Sequence, residues 1–250
     1  MTLFDFRAPR LFVDVPLSAG ATIALERDQS NYLGNVLRLA AGSTVLVFNG
    51  RDGEWRAAIS GRKRADTLEI LNPTRPQDHL HDLTYVFAPL KHARLDYMVQ
   101  KAVEMGASRL QPVLTRFTQV SRVNGERMRA NVVEAAEQCG ILTLAAVADP
   151  MPLEKFLTLR ESRRLLIFCD EAAETADPLQ AFRQTGPQAH GIDVVVGPEG
   201  GFAEEERTLL LRQPVILRLS LGPRILRADT AAVAALALVQ AALGDWSGAP

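Results

Sequence analysis

Two arginines and an aspartate stand close together in the segment LGPRILRADT (221–230), directly after a glycine and a proline. Arg224 and Arg227 are separated by two residues, and Asp229 follows Arg227 after one more. A guanidinium group matches planar, delocalised anions. The segment therefore predicts contact with an anion. Solvated arginines and a helix cap at Asp229 or Thr230 explain the same pattern equally well.

A second glycine-rich segment, VVVGPEGGFAEEE (194–206), begins with an apolar run and ends with three glutamates. Glycines let the main chain approach a ligand closely. The segment lacks the Lys-Ser/Thr of a P-loop and the spacing of a dinucleotide-binding GxGxxG motif. Since three glutamates would also repel a phosphate, we expect a ligand other than a polyphosphate. The alternative is a tight turn that binds nothing.

From residue 83 onward, strands are predicted to alternate with helices, and both glycine segments follow an apolar strand and lead into a helix. Such alternation favours a mostly parallel sheet with helices on both faces. In open parallel sheets, ligands bind beyond the carboxyl ends of the strands. We therefore expect the two glycine segments to form two walls of one pocket.

The amino-terminal part has a different pattern. Short strands between residues 11 and 71 are separated by turn residues and interrupted by one helical stretch, QSNYLGNVLRL, which together predict a small β-barrel-like domain. Residues 72–82 are polar, contain two prolines and are predicted to be a linker. We therefore place one domain at 1–74 and a second at 80–246.

The composition excludes several classes of protein. The chain has 250 residues and a formal net charge of -1, so it is not a wholly basic coat for nucleic acid, although this leaves room for a local basic patch. Cys139 and Cys169 lie far apart and form no CxxC pair, so by themselves they cannot frame a disulfide scaffold or a four-ligand zinc site, and the four histidines lack ligand spacing. Without a signal-peptide core or a membrane-length apolar run, we expect a cytoplasmic protein that holds no metal.

Five ordered motifs carry a resemblance to a known family. The segments VGPEGGFAEEE and LGPRILRADTA occur in this order near the carboxyl end, after NYLGNVLRL, KHARLDYMVQKAVEMGA and EAAEQCG. In these motifs, which run through nearly the whole chain, the sequence resembles the RsmE family, the ribosomal RNA small-subunit uracil-N3 methyltransferases of the SPOUT superfamily. The resemblance implies methylation of N3 of a uridine in 16S ribosomal RNA.

The resemblance also implies a fold that periodicity does not indicate. A PUA-like RNA-binding domain would precede a SPOUT-type parallel sheet whose carboxyl-terminal loops form a trefoil knot. The enzyme would be a homodimer, with the last helix either at the dimer interface or in an ordinary core. S-Adenosylmethionine would bind in the knot, held largely by main-chain groups. The residues implied to hold it are Gly197, Pro198, Glu199, Gly200, Gly201, Leu221, Gly222, Ile225, Leu226 and, at the end of another strand, Glu171.

The resemblance gives each charged residue of the site a role. Uracil N3 must lose a proton, and an arginine suits the resulting delocalised anion. Arg227 is the candidate for stabilising this charge, and Asp229 or Glu199 for accepting the proton. Arg224 would hold RNA or the opposite subunit. Further contacts with RNA phosphates are expected from Arg10, Arg38, Lys91, Arg94 and Arg116.

Four positions depart from the family pattern. Asn31 and Ile141 stand where histidine and arginine are common, which weakens the expected RNA contacts. Ala203 replaces a serine helix cap worth about 1 kcal/mol. Asp229 replaces a glutamate, so its side chain is shorter by one methylene group. Two other functions stay open at this point: a SPOUT enzyme that methylates a ribose hydroxyl, and a non-catalytic RNA-binding protein that keeps the fold.

Overall fold

A computed structural model describes residues 8–61, 65–120, 122–173, 177–183 and 190–246. The chain divides into two compact units. The first comprises the described residues up to His79 together with Val133–Leu144, and the second comprises Leu80–Val132 and the described residues from Ala145 onward. The domain limits 1–74 and 80–246 stay a prediction.

The first unit is built from short strands and one short helical stretch. Its elements are β1 (Arg10–Phe12), β2 (Thr22–Ala24), α1 (Arg27–Asn31), a π-helical turn (Tyr32–Val36), β3 (Thr44–Phe48), β4 (Glu54–Ile59) and β5 (Thr67–Arg75). The strands form one sheet in the order β1-β3-β4-β5-β2, and every strand contributes buried apolar side chains to one core. This confirms the predicted small β domain with its helical interruption.

A buried acid stands at the start of β4. The Glu54 carboxylate accepts hydrogen bonds from the guanidinium groups of Arg10 (3.1 Å) and Arg75 (2.8 Å) and from the Thr74 hydroxyl (2.8 Å). Burial acts to raise the pKa of Glu54, but these donors outweigh it and lower the pKa below its ordinary value. The charged carboxylate therefore joins β1, β4 and β5.

The segment 133–144 completes the first unit from a later part of the sequence. Ala136 and Leu142 are buried together with Phe48 of β3 in one apolar cluster. The main-chain N–H of Leu142 donates to the Asp78 carboxylate (2.8 Å). The first unit is therefore assembled from two separate stretches of chain.

The second unit alternates strands with helices. Its elements are β6 (Leu83–Phe87), α2 (His92–Glu104), β7 (Arg109–Leu114), α3 (Gly125–Cys139), β8 (Ala146–Val147), β9 (Met151–Pro152), α4 (Leu153–Leu159), β10 (Leu165–Cys169), α5 (Pro178–Arg183), β11 (Ile192–Val196), α6 (Glu204–Leu211), β12 (Ile216–Leu219) and α7 (Ala228–Leu243). The carboxyl-terminal part of α3 belongs to the first unit. The strands pair in the order β12-β10-β11-β6-β7-β8, β9 pairs with β7, and all pairs are parallel. The predicted parallel sheet is confirmed.

Two details differ from the sequence-based expectation. Residues 72–75, predicted as linker, extend β5, because Asn72 and Pro73 pair with Arg56 and Trp55 of β4. The strands β2, β8 and β9 are not predicted, since two or three residues are too few to show a periodicity. Gly106 follows α2 with φ 78°, a conformation that glycine adopts without strain and that commonly ends a helix.

The last helix, α7, has two apolar faces. One is buried and packs within the chain on α2, α5 and β11. The partly exposed apolar residues of the opposite face are Val233, Ala234, Ala237 and Leu238. Among the helices of the described part of the chain, none combines the length and apolar character that crossing a membrane requires.

Candidate functional site

The carboxyl ends of four neighbouring strands lie at one edge of the parallel sheet. β10 stands between β12 and β11, and β6 lies on the far side of β11. The segments that leave this edge are Leu221–Leu226 after β12, Glu171 after β10, Gly197–Gly201 after β11 and Pro89–Lys91 after β6. Both glycine segments are therefore on the same edge, and the end of β10 separates them.

The first glycine segment, 197–201, forms a tight turn. The N–H of Gly201 donates to the Pro198 carbonyl (2.9 Å), and Gly201 has φ 70°, which favours glycine. A Cβ on Gly197 would lie 2.7 Å from the ring of Phe202. The turn therefore requires glycine at both positions. Within it Pro198 is buried, whereas Glu199 and Gly200 are exposed.

A buried aspartate fixes the end of β10. The Asp170 carboxylate accepts hydrogen bonds from Arg218 (2.8 Å), Arg207 (3.1 Å) and the N–H of Ala172 (3.0 Å). Arg218 also donates to the Ala172 carbonyl (2.7 Å). Burial acts to raise the pKa of Asp170, but the donors lower it below its ordinary value. The charged carboxylate therefore ties β12 and α6 to the segment that follows β10.

The other predicted cofactor-binding residues are exposed or half-buried. Glu171 is exposed. Its carboxylate would lie 3.7 Å from a Cβ atom added to Gly201. Gly222 has φ 97°, and a Cβ atom added to it would have no neighbouring atom within 4 Å. Ile225 is 97% exposed, and Leu221 and Leu226 are half-buried. The structure thus leaves the second segment uncovered.

Arg227 and Asp229 stand at the start of α7. Arg227 is the N-cap residue and its side chain is exposed. Asp229 and Thr230 lie inside the first turn of this helix, so neither is its N-cap residue. The predicted acceptance of a free first-turn N–H is present at Asp229. The Asp229 carboxylate accepts the N–H of Thr230 (2.9 Å). Burial raises the pKa of Tyr85 in β6, and the negative charge of Asp229 adds to this effect.

The predicted RNA-binding arginines and lysine occupy different environments. Arg10 is buried and paired with Glu54, so its guanidinium cannot reach a phosphate, and its position does not support the predicted contact. The exposed candidates are Arg38, Lys91, Arg94, Arg116 and Arg224.

Lys91 and Arg94 line a cavity of about 500 Å³ in the second unit. Glu199 lines the same cavity, and its carboxylate pairs with the Arg94 guanidinium (3.3 Å). The remaining lining residues are Pro89, Leu90, Ala93, Gln119 and Val120. The structure therefore brings two predicted RNA-binding residues next to a residue predicted to serve the cofactor and catalysis.

The positions that depart from the family pattern have defined structural roles. Ala203 is the N-cap of α6 and offers no side-chain acceptor, while its N–H donates to Glu206 (2.9 Å). Ile141 packs against the apolar cluster that completes the first unit. Asn31 is exposed and accepts a hydrogen bond from the side chain of Asn35 (2.8 Å).

Two features of this edge escape sequence analysis. Asp170 and its partners Arg207 and Arg218 are far apart in the sequence, so no spacing reveals them. Phe117 is 46% exposed and lies against Gly200; an aromatic residue in the polar stretch after β7 is the signal that could have found it. Within the described ranges, no group of three or more His, Cys, Asp or Glu side chains could hold a metal ion.

Two families of domains match the chain. An RNA methyltransferase domain matches residues 76–240, and an RNA methyltransferase PUA domain matches residues 25–70. The first match covers more than half of the chain and includes most of the second compact unit together with residues 133–144 of the first, whereas the second match lies within the first unit.

Relatives and solved structures agree with these matches. A ribosomal RNA small subunit methyltransferase E from Synechocystis is 33% identical to this chain, and the match covers 94% of this chain and 78% of the relative. One from Rickettsia conorii is 29% identical, and the match covers 92% of this chain and 94% of the relative. A methyltransferase from Legionella pneumophila with bound cofactor SAM has a TM-score of 0.84 at 28% identity, covering 96% of this chain and 99% of its own. The ribosomal RNA small subunit methyltransferase E from Neisseria gonorrhoeae, bound to S-adenosyl methionine, has a TM-score of 0.82 at 27% identity. The match covers 94% of this chain and 98% of that chain. The chain therefore belongs to the ribosomal RNA small subunit methyltransferase E family of RNA methyltransferases.

Proposed function

We propose that this chain is an S-adenosylmethionine-dependent methyltransferase that methylates N3 of a uridine in the 16S ribosomal RNA of the small subunit. Membership of the family supports the reaction. The observation that carries the proposal is the strand order β12-β10-β11, which sets both glycine segments at the sheet edge where parallel sheets bind ligands.

The residues at this edge fit a nucleoside cofactor held by main-chain groups. Three of the five residues at 197–201 are glycines without a side chain of their own, and the space beside Gly222 is open. Glu171, whose carboxylate lies near Gly201, adds negative charge that would attract a cationic sulfonium. We assign the cofactor to the two glycine segments, 197–201 and 221–226, with Glu171 between them. When bound, it supplies the activated methyl group.

The polar residues of the edge have to remove a proton from uracil N3 and stabilise the charge that remains. Arg227 extends an exposed guanidinium from the start of α7, and its planar fork suits the charge delocalised over N3 and the flanking carbonyl oxygens. Asp229 and Glu199 are the candidate proton acceptors. Arg224 would hold RNA or the opposite subunit.

RNA binding would rest on exposed cations of both units. Arg38 belongs to the first unit, and Lys91, Arg94 and Arg116 belong to the second. Because phosphate contacts release counterions, RNA affinity should fall steeply as salt rises. A flat salt response would remove these assignments.

We further propose that the chain works in the cytoplasm as a homodimer, with the loops after β11 and β12 forming a trefoil knot, and that its RNA is part of a small ribosomal subunit. The partly exposed apolar face of α7 supports the homodimer, because a second copy would cover it.

The deciding experiment incubates the protein and S-adenosylmethionine with unmodified small ribosomal subunits and, separately, with naked 16S ribosomal RNA, and maps the product by mass spectrometry. We expect one methyl group on N3 of a uridine. A methyl group on a ribose hydroxyl would favour the other SPOUT reaction. Absence of methylation, together with absence of cofactor binding in calorimetry, would favour a non-catalytic RNA-binding protein.

A further inference from the structure

The turn that follows β7 presents an aromatic ring to solvent. Phe117 is 46% exposed, although a large apolar side chain gains free energy when it is removed from water. Single exposed apolar residues are common on protein surfaces, so exposure alone assigns no role. The surroundings of this ring distinguish it.

The turn is held rigidly. The N–H of Thr118 donates to the Thr115 carbonyl (3.1 Å), and the N–H of Thr115 donates to the Thr118 hydroxyl (2.9 Å). The N–H of Arg116 donates to the carboxylate of Glu206 in α6 (2.7 Å). The main chain that carries Phe117 is therefore fixed before any ligand arrives, which reduces the entropy lost on binding.

Phe117 also touches the first glycine segment. A Cβ on Gly200 would lie 3.2 Å from the Cβ of Phe117, so the aromatic residue and the main chain of Gly200 are in direct contact. Phe117 thus stands beside the turn to which we assign the cofactor. A ligand stacked on this ring would be next to the place where the methyl group is delivered.

Two cations lie next to the turn that carries Phe117. Gln119 and Val120, which follow Phe117 in the chain, line the cavity of about 500 Å³ together with Lys91, Arg94 and Glu199. Such a volume falls in the range of about 300–1,000 Å³ that is usual for ligand sites. The three charged groups sum to one net positive charge, since Glu199 offsets one of the two cations. A flat ring beside a positively charged cavity matches an unstacked nucleobase with its phosphate.

We infer that Phe117 is the stacking platform for an unpaired base of the substrate RNA, and that Lys91 and Arg94 hold the phosphate of the same strand in the adjoining cavity. The inference rests on the proposed function for the identity of the RNA. Phe117 would mark the subsite at which the RNA strand that carries the target uridine becomes unstacked.

The test uses variants of Phe117 in the full-length protein and measures RNA binding by the anisotropy of a labelled, short, single-stranded RNA. Phe117→Ala and Phe117→Leu should weaken binding about tenfold, because both remove the ring. Phe117→Trp should bind within about twofold of the unaltered protein, because it keeps a stacking surface. Leu159→Ala, at a 65% exposed apolar residue of α4, is the matched control and should bind RNA normally.

Calorimetry with S-adenosylmethionine, melting temperature and the mass in solution are measured for each variant. We expect all three to stay unchanged in Phe117→Ala. RNA binding by Phe117→Leu equal to that of the unaltered protein would overturn the inference, since aliphatic bulk would then suffice. Loss of cofactor affinity instead of RNA affinity would also overturn it, as would conversion to a smaller species, which would make the ring part of a protein interface.

The two proposals fail separately. If the unaltered protein methylates no ribosomal RNA while Phe117→Ala still weakens RNA binding, the proposed reaction is wrong and the stacking platform stands. If methylation of 16S ribosomal RNA proceeds and Phe117→Ala binds and methylates it normally, the platform is wrong and the reaction stands.

Discussion

Arg227 combines a fixed main chain with an exposed side chain. Its carbonyl accepts the N–H of Ala231 (2.7 Å) in the first turn of α7, while its side chain is exposed to solvent. A donor held in this way can meet charge that develops on a bound base without a costly rearrangement. The role assigned to Arg227 therefore concerns the reaction step more than cofactor binding.

We expect Arg227→Ala to lower kcat about 100-fold or more, the usual effect of removing a preorganised donor from a developing anion. The affinity for S-adenosylmethionine, measured by calorimetry, should change little. Arg212→Ala, at an exposed residue that ends α6, serves as the control and should keep full turnover. Normal turnover of Arg227→Ala on bound RNA would remove the role.

The two thiols of the chain should differ in reactivity. Cys169 ends β10 and is only partly accessible, and burial raises the pKa of its thiol to about 12. Because the thiolate is the reactive form, Cys169 should remain protonated and inert at pH 8, whereas the exposed Cys139 should react. Iodoacetamide followed by peptide mass spectrometry checks this. Equal labelling of both thiols in the folded protein would contradict the burial of Cys169.

At the scale of elements, Asp170 joins the end of β10 to β12 and α6, which carry or flank both glycine segments. We expect Asp170→Asn to lower the free energy of unfolding by ~2 kcal/mol at pH 7, the usual contribution of hydrogen bonds to a charged group. The same substitution should weaken the binding of S-adenosylmethionine, because three connected elements lose a common partner.

The pH dependence gives this prediction a second readout. The pKa of Asp170 is lower in the folded protein than its ordinary value, so its stabilising effect is complete above about pH 4 and disappears as the pH falls through the folded pKa. The difference between the two proteins in urea unfolding should therefore shrink at acid pH. Asp149→Asn, at an exposed position, is the control and should match the unaltered protein throughout.

Sequence reasoning reaches the long elements and misses the contacts between them. The alternation of strands with helices from residue 83 onward and the helical stretch around Tyr32–Val36 are predicted, because each depends on apolar residues close together in the sequence and on turn residues between them. The order β12-β10-β11 is not predictable from alternation, since which strands become neighbours depends on how the chain crosses the sheet. The burial of Arg10 is unpredictable for the same reason, because it depends on Glu54, 44 residues away.

For the whole molecule, α7 supplies the proposed contact between two copies. The protein should have about twice the chain mass of 27.3 kDa in light-scattering chromatography. Leu238→Glu would place a charge on the partly exposed apolar face and should give the mass of one chain, because an unpaired charge is costly to bury. Thr158→Glu, on the exposed side of α4, is the control. A Leu238→Glu protein that keeps the doubled mass would locate the interface elsewhere.

The return of residues 133–144 to the first unit has a consequence for synthesis. A nascent chain that has emerged as far as His79 still lacks the side chains of Ala136 and Leu142 that cover Phe48. Roughly 65 more residues must leave the ribosome, which takes about 3 to 13 seconds at ordinary elongation rates. During that interval the apolar surface around Phe48 is exposed. We therefore expect this surface to bind chaperones, or to promote aggregation, while the protein is being synthesised.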